Sequence, residues 1–117
     1  MNWYSSGDVP PGIDWDQDLV VHVPAAVGRK QPLLRVLRTG LMLPGYFGEN
    51  WDALEECLRD LWWLPEGRRV WLIHADVPFS AGSANRSTYL AVLRESVEHW
   101  RSQGSADRLN VCFPEPV

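Results

Sequence analysis

The sequence predicts an α/β fold, in which a small three-stranded parallel sheet is packed by about four helices. Two observations lead to this prediction. Short and nearly continuous apolar runs, rich in β-branched residues, are typical of parallel strands that are buried on both faces. Between them lie longer stretches in which apolar residues recur every three or four positions, as they do along one face of a helix. Strands joined by helical crossovers form parallel sheets with right-handed connections.

The first eighteen residues, 1–18, are polar and rich in Ser, Pro and Gly, and they predict an extended arm. The rest of the chain, 19–117, is expected to form a single domain, because a chain of 117 residues has the usual size of one domain. Four apolar residues of the arm are expected to dock on that domain: Trp3, Tyr4, Ile13 and Trp15.

Three apolar runs predict the strands, and they cover residues 19–23, 70–74 and 108–113. Pro24 ends the first run and Pro114 ends the last, because proline cannot donate a hydrogen bond to a neighbouring strand.

Two helices are predicted outside the central part of the chain. The first begins near Pro32, since the missing N–H of proline costs nothing in the first turn of a helix. The last runs from about Ser87 to Gln103, after a polar loop over 76–87, and Gly104 is its stop.

The central stretch, 43–61, predicts an exposed loop that leads into another helix. Pro44, Gly45 and Gly48 indicate turns, and Asn50 is a favourable N-cap, worth about 1 kcal/mol. Apolar residues then recur with helical spacing and define the inward face: Leu54, Cys57, Leu58 and Leu61.

The outward face of this helix is acidic. The chain carries 15 acidic and 11 basic residues; the window 49–60 holds five of the acids and one base, so ten of each remain outside it. The net charge of −4 is therefore concentrated in one loop and one helix. Asp52 and Glu56 lie four residues apart, where like charges destabilise a helix slightly, so stability does not explain them. Such a patch, edged by Tyr46, Phe47 and Trp51, is suited to binding a cationic partner.

The same residues carry a resemblance to a known family. The stretch Leu43-Pro44-x-Tyr46-Phe47-Gly48-x-Asn50-Trp51-Asp52-Ala53-Leu54-x-x-Cys57-Leu58 resembles the signature of the barstar family, intracellular inhibitors of small secreted ribonucleases. The resemblance covers roughly residues 19–113 and implies that 19–117 is a single barstar-like domain. It also implies a non-enzymatic inhibitor whose loop and second helix plug the cationic active site of a ribonuclease.

Carried over position by position, the resemblance places five residues at the interface: Tyr46, Gly48, Asn50, Asp52 and Glu56. Glu56 stands where the best-known member has Asp, so the charge is kept but lies one methylene further out. Glu55 stands where that member has Trp, and Trp51 where it has Leu. An acid at the start of its third long helix aligns roughly with Ser87. The resemblance thus implies the same class of partner with a changed identity.

With the neighbouring acids and aromatics included, the predicted partner-binding residues are Tyr46, Phe47, Gly48, Glu49, Asn50, Trp51, Asp52, Glu55, Glu56 and Asp60. The predicted partner is one cationic ribonuclease, bound 1:1 by a chain that is a monomer when free. Its role would be self-protection or immunity against a toxin. The alternative is an acidic interaction module with a basic partner that is not a nuclease.

Enzymatic, metal-binding and cofactor-binding functions are not expected. No P-loop, GxSxG or GxGxxG motif is present, and no Cys/His cluster has the spacing of a metal site. His22, His74 and His99 are interpreted as structural, although a small hydrolase using His22 or His74 with the acidic helix is a third hypothesis. Nucleic-acid binding is disfavoured, because the acidic patch repels phosphate.

The cytoplasm is the predicted compartment. The sequence shows no signal peptide and no long apolar segment, so we expect neither export nor membrane association. Cys57 and Cys112 are far apart and do not form a disulfide framework, which is typical of a reducing compartment.

Overall fold

A computed structural model describes residues 3–5, 12–45 and 48–117 of the chain. The elements are β1 (Trp3–Tyr4), β2 (Leu19–Val23), α1 (Lys30–Gly40), α2 (Trp51–Asp60), β3 (Val70–His74), α3 (Ala84–Ser102) and β4 (Leu109–Cys112). The strands form one parallel sheet in the order β1-β4-β3-β2, and helices connect β2 to β3 and β3 to β4. The predicted α/β class is therefore confirmed.

The sheet has four strands where the sequence predicted three. The runs at 19–23 and 70–74 form strands with the predicted bounds, and β4 is shorter by one residue at each end. The additional strand is β1, which pairs Trp3 with Val111 and Tyr4 with Cys112. Two residues are too few to show an alternating pattern, so only the pairing with β4 identifies this strand. The helix count also differs, because the described residues form three helices rather than about four.

The arm thus contributes to the sheet, although the division at residue 18 stays a prediction. Trp71 is only 2% exposed, yet alternation along β3 points its side chain away from the helices. The ring of Tyr4 stacks on the indole of Trp71, with centroids 5.9 Å apart. The indole Nε1–H of Trp71 donates to Asp18 Oδ2 over 2.9 Å. Asp18 in turn pairs with Arg69 at 2.7 Å. Among the arm residues expected to dock, Trp15 stays exposed.

The last helix begins earlier than predicted. Ser83 is its N-cap, with its hydroxyl accepting from the backbone N–H of Arg86 over 3.2 Å. The predicted start at Ser87 was wrong by one helical turn, because Ser83 and Ser87 are both good caps and tertiary contacts favour the earlier one. The guanidinium of Arg86 donates to the carbonyls of Val77 and Pro78, which holds the preceding loop against α3.

The core lies between the helices and one face of the sheet. Gly40, the last residue of α1, packs so closely on β2 that a Cβ there would come within 2.5 Å of Val21 Cγ1. Among the described residues, no helix combines the length and the apolar composition that a membrane crossing needs. The helical residues of the hydrophobic core that have no exposed surface are Leu33, Leu34 and Leu37 of α1, Leu54 and Leu58 of α2, and Tyr89 and Leu93 of α3.

Candidate protein-binding surface

Helix α2 has the orientation that its sequence pattern predicts. The Asn50 side chain accepts from the backbone N–H of Ala53 over 2.8 Å, which caps the first turn. The predicted inward residues are all buried: Leu54, Cys57, Leu58 and Leu61. Three acids of the opposite face, Asp52, Glu56 and Asp60, are exposed. The carboxylates therefore point into solvent from a helix that is held by its apolar face.

The three exposed acids form a stripe along α2. They are spaced four residues apart, so successive carboxylates lie about 6 Å apart along the helix axis. Within the described parts of the chain, no cationic group lies within 4.0 Å of Asp52, Glu56 or Asp60. We refer to Asp52, Glu56 and Asp60 as the acidic stripe. Its charge is available to a partner.

The loop before α2 is shaped by its glycine and its cap residue. The Nδ2 of Asn50 donates to the carbonyl of Gly48 over 3.3 Å, and a Cβ on Gly48 would lie 3.0 Å from that nitrogen. Glu49 adopts a positive φ of 50° and pairs with Arg38 of α1 at 3.3 Å, so its charge is partly neutralised. The predicted site residues Tyr46 and Phe47 lie outside the described residues.

Trp51 is half-buried and has a packing role in addition to its predicted place in the site. Its ring packs against Phe79 and Tyr89, with centroid distances of 6.0 Å and 5.9 Å. The ammonium of Lys30 lies 5.6 Å from the centroid of the same ring, in a cation–π geometry. Trp51 thus connects the core to the surface on which the acidic stripe begins.

Glu55 lies in a charge cluster that joins α2 to α3. Arg59 Nη2 lies 3.0 Å from Glu55 Oε1 and 3.8 Å from Glu95 Oε2. Partial burial raises the pKa of Glu55, the adjacent Glu95 carboxyl raises it further, and Arg59 opposes both. Two carboxylates therefore share one cation. Glu95 is absent from the sequence-predicted site, since its position on α3 gave no sign that it lies beside α2.

Both ring nitrogens of His74 are hydrogen-bonded to groups outside α2. His74 is buried, with Nδ1 2.9 Å from the carbonyl of Cys112 and Nε2 2.6 Å from the Tyr89 hydroxyl. A carbonyl only accepts, so Nδ1 carries the proton and Nε2 accepts from Tyr89. Burial lowers the pKa of His74 to about 4, and the ring is neutral at pH 7. Both of its nitrogens are engaged, so neither is available as a base.

The chain also contains a concavity of about 650 Å³ at the C-terminal end of α2. Trp62 and Trp100 line it, and its lining includes neither His nor Cys. The guanidinium of Arg108, which also lines this concavity, donates to the carbonyls of Leu61, Pro65 and Arg68. These hydrogen bonds hold the segment between α2 and β3 in place. The described residues show no group of His, Cys, Asp and Glu that could hold a metal ion.

A comparison with protein families covers most of the chain. A protein-family model described as Barstar (barnase inhibitor) matches residues 19–112, which is well over half of the chain. The matched range contains the loop, the acidic stripe and strands β2, β3 and β4. No curated protein matches the chain.

Proposed function

Because the chain belongs to the barstar family, we propose that it inhibits a small cationic bacterial ribonuclease by plugging its active site. The plug is α2 with the loop that precedes it. The complex contains one copy of each protein, and the inhibitor is a cytoplasmic monomer when free. It protects its host either from the host's own secreted ribonuclease or from an incoming toxin, and it is not itself an enzyme.

The observation that supports this proposal best is the acidic stripe. Like charges four residues apart destabilise a helix, and Asp52, Glu56 and Asp60 have no counter-ion within 4.0 Å among the described residues. A partner that brings cations to this helix would remove that repulsion. Ribonuclease active sites are cationic because they bind phosphodiesters, so the carboxylates would occupy positions that otherwise hold phosphates.

The fold is suited to this mode of inhibition. The acids are carried by a helix whose cap and apolar face fix its position, so little backbone order remains to be gained on binding. Gly48 and Asn50 present exposed backbone and amide groups at the N-terminal end of the stripe. Electrostatic attraction would accelerate the encounter, and the loop would occlude the active site.

Inhibition assays against a panel of bacterial ribonucleases test the proposal. We expect Asp52→Ala and Glu56→Ala each to weaken binding of the inhibited ribonuclease by about 2–5 kcal/mol, as truncation of one partner of a buried charge pair does. Glu98→Ala is the matched control, because it also removes an exposed acid but lies on α3 beside Arg101 at 2.9 Å. Equal inhibition by the wild type and both stripe variants would refute the assignment of the surface.

The alternative is a basic partner that is not a nuclease, since the acidic stripe alone would also attract such a protein. A pull-down with the wild-type chain, repeated with Asp52→Ala, separates the two. Capture of a basic protein without ribonuclease activity, lost in the variant, would favour the alternative. The hydrolase hypothesis requires a histidine, so host protection that persists after His22→Ala and His74→Ala would exclude it.

A further inference from the structure

The start of α1 carries a cluster of cations next to the acidic surface. Arg29, Lys30 and Arg35 line a concavity of about 460 Å³, together with Gln31 and Pro32. In the described residues no carboxylate lies within 4.0 Å of any of these three cations, whereas Arg38 and Arg59 are each paired with a glutamate. We call Arg29, Lys30 and Arg35 the basic cluster.

The basic cluster borders the proposed partner surface. Lys30 Nζ lies 5.6 Å from the ring centroid of Trp51, the residue that immediately precedes Asp52 in α2. One turn beyond Arg35 on α1, Arg38 bridges to Glu49 of the loop at 3.3 Å. A protein large enough to cover α2 and the loop would therefore also meet the outward side of α1.

The local electrostatics of α1 are unfavourable in the free chain. The first turn of α1 contains no acidic residue, and its N-cap, Arg29, makes no side-chain capping hydrogen bond. The positive end of a helix dipole favours anions, yet here it lies among three cations. Carboxylates brought by a partner would relieve this repulsion.

We propose that the basic cluster is the second half of the partner surface and fits carboxylates at the rim of the ribonuclease active site. The inference rests on the proposed function. A protein partner is favoured over a nucleic acid, because the adjacent acidic stripe and the net charge of −4 repel a polyanion. A ribonuclease supplies cations to α2 and carboxylates to α1 in a single docking event. The surface thus favours partners that carry both a cationic patch opposite α2 and carboxylates opposite α1.

The double variant Arg29→Glu/Arg35→Glu tests this inference by the sign of its effect. If only the overall attraction to a cationic ribonuclease mattered, four extra units of negative charge would strengthen binding. The basic cluster predicts the opposite, a loss of affinity of about tenfold or more. Lys30 is left unchanged, because its ammonium packs on Trp51. Arg29 and Arg35 are exposed, so we expect the variant to fold, and a thermal melt checks this.

Arg35→Glu is compared separately with Arg101→Glu, which makes the same change in net charge in the last turn of α3. The inference requires weaker binding for Arg35→Glu and unchanged or tighter binding for Arg101→Glu. Unchanged or tighter binding by both would overturn it. If the Arg variants inhibit normally but lose binding of a labelled single-stranded RNA, the cluster binds nucleic acid and the inference is wrong.

The two proposals fail in different ways. If Asp52→Ala weakens inhibition while the Arg29→Glu/Arg35→Glu variant does not, the proposed function stands and only the inference is refuted. If no ribonuclease in the panel is inhibited, the proposed function fails, and the inference that rests on it fails too.

Discussion

At the scale of single residues, burial decides what the ionisable side chains can do. His74 and Tyr89 are enclosed together and hydrogen-bonded to each other, and the His74 ring stacks on Phe113 with centroids 4.1 Å apart. Burial likewise raises the pKa of Cys57 and that of Cys112, so both thiols stay protonated and act as small apolar groups. For Asp18, burial alone would raise the pKa. Hydrogen bonds from Arg69, the Asp14 backbone and Trp71 outweigh the effect of burial, so the pKa of Asp18 is lowered.

The buried His74 makes stability depend on pH. In the unfolded chain this ring takes up a proton near its ordinary pKa of 6.5, whereas in the folded chain it does so only at about 4. The free energy of unfolding should therefore fall as the pH drops from about 6.5 to about 4, by an amount of the order of 3 kcal/mol. Urea denaturation between pH 7 and pH 4.5 measures it.

His74→Gln is the control for this prediction, because it removes the titrating group and keeps hydrogen-bonding atoms near Tyr89. Its unfolding free energy should change less over the same pH range. Parallel curves for the wild type and this variant would assign the pH dependence to other groups.

We expect Glu55 to influence which ribonuclease the chain binds. Glu55→Ala removes one of two carboxylates that share Arg59, so the lost ion pair is offset by relief of the repulsion from Glu95. The free energy of unfolding should change by no more than about 0.5 kcal/mol. The affinity for the ribonuclease, or the choice among ribonucleases, should change measurably. Thermal melts paired with inhibition constants over the panel test both statements.

Glu95→Ala is the matched comparison, because it removes the second carboxylate from the same cation. If Glu55→Ala unfolds the chain while its affinity per folded molecule stays the same, Glu55 has a structural role and is not a specificity residue.

At the scale of elements, α2 separates stability from binding on its two faces. Leu54 and Leu58 are fully buried, and the indole N–H of Trp100 from α3 donates to the carbonyl of Leu58 over 2.7 Å. The C-cap that follows the helix is Leu61, which adopts a left-handed conformation with a φ of 51° although it is not glycine. Its buried side chain holds it there, so tertiary packing outweighs the local strain.

Leu58→Ala should destabilise the chain without changing the surface that binds the partner. Loss of a fully buried leucine removes contacts and leaves a cavity, at a cost of about 2–5 kcal/mol. The folded variant should still inhibit its ribonuclease. Chemical denaturation and an inhibition assay below the unfolding transition measure the two effects. An unchanged melting temperature would mean that the phase of α2 is wrong, and the assignment of Asp52 and Glu56 to the outward face would fail with it.

At the scale of the whole molecule, two charged clusters of opposite sign lie near each other. The acidic stripe lies on α2 and the basic cluster at the start of α1, and pairs such as Arg38–Glu49 lie where the two meet. A surface of this kind orients a partner as well as attracting it. Electrostatic steering is well known for the complex of barnase and barstar. We therefore expect it for a member of this family.

The rate of association with the ribonuclease should fall steeply with salt. The Debye length is about 30 Å at 0.01 M salt and about 10 Å at 0.1 M, so the acidic stripe acts over a shorter range as salt rises. We expect the on-rate to drop by about tenfold or more across this range and beyond, with a smaller change in the off-rate. Stopped-flow measurements at several salt concentrations test this. Asp52→Asn should flatten the dependence, and a flat dependence in the wild type would show that the stripe does not guide the encounter.

Much of this architecture follows from the sequence because it is encoded locally. Strands β2 and β3 are nearly continuous apolar runs, and the two faces of α2 follow from the spacing of Leu54, Leu58 and their neighbours. The Asn50 cap and the concentration of acid between residues 49 and 60 are also visible without any structure. Periodicity and capping involve residues a few positions apart, so a single sequence is enough to detect them.

The tertiary structure alone decided which distant residues meet. It paired Trp3 with Val111 and placed the ammonium of Lys30 over the ring of Trp51. It also placed Glu95 beside Arg59, the cation that pairs with Glu55. It also selected Ser83 over Ser87 as a cap, through contacts that Arg86 makes with the preceding loop. These features depend on the packing of elements that are remote in the chain, and no local pattern encodes them. The acidic face could therefore be predicted from the sequence, whereas its basic neighbour became visible only when the sheet had brought α1 and α2 together.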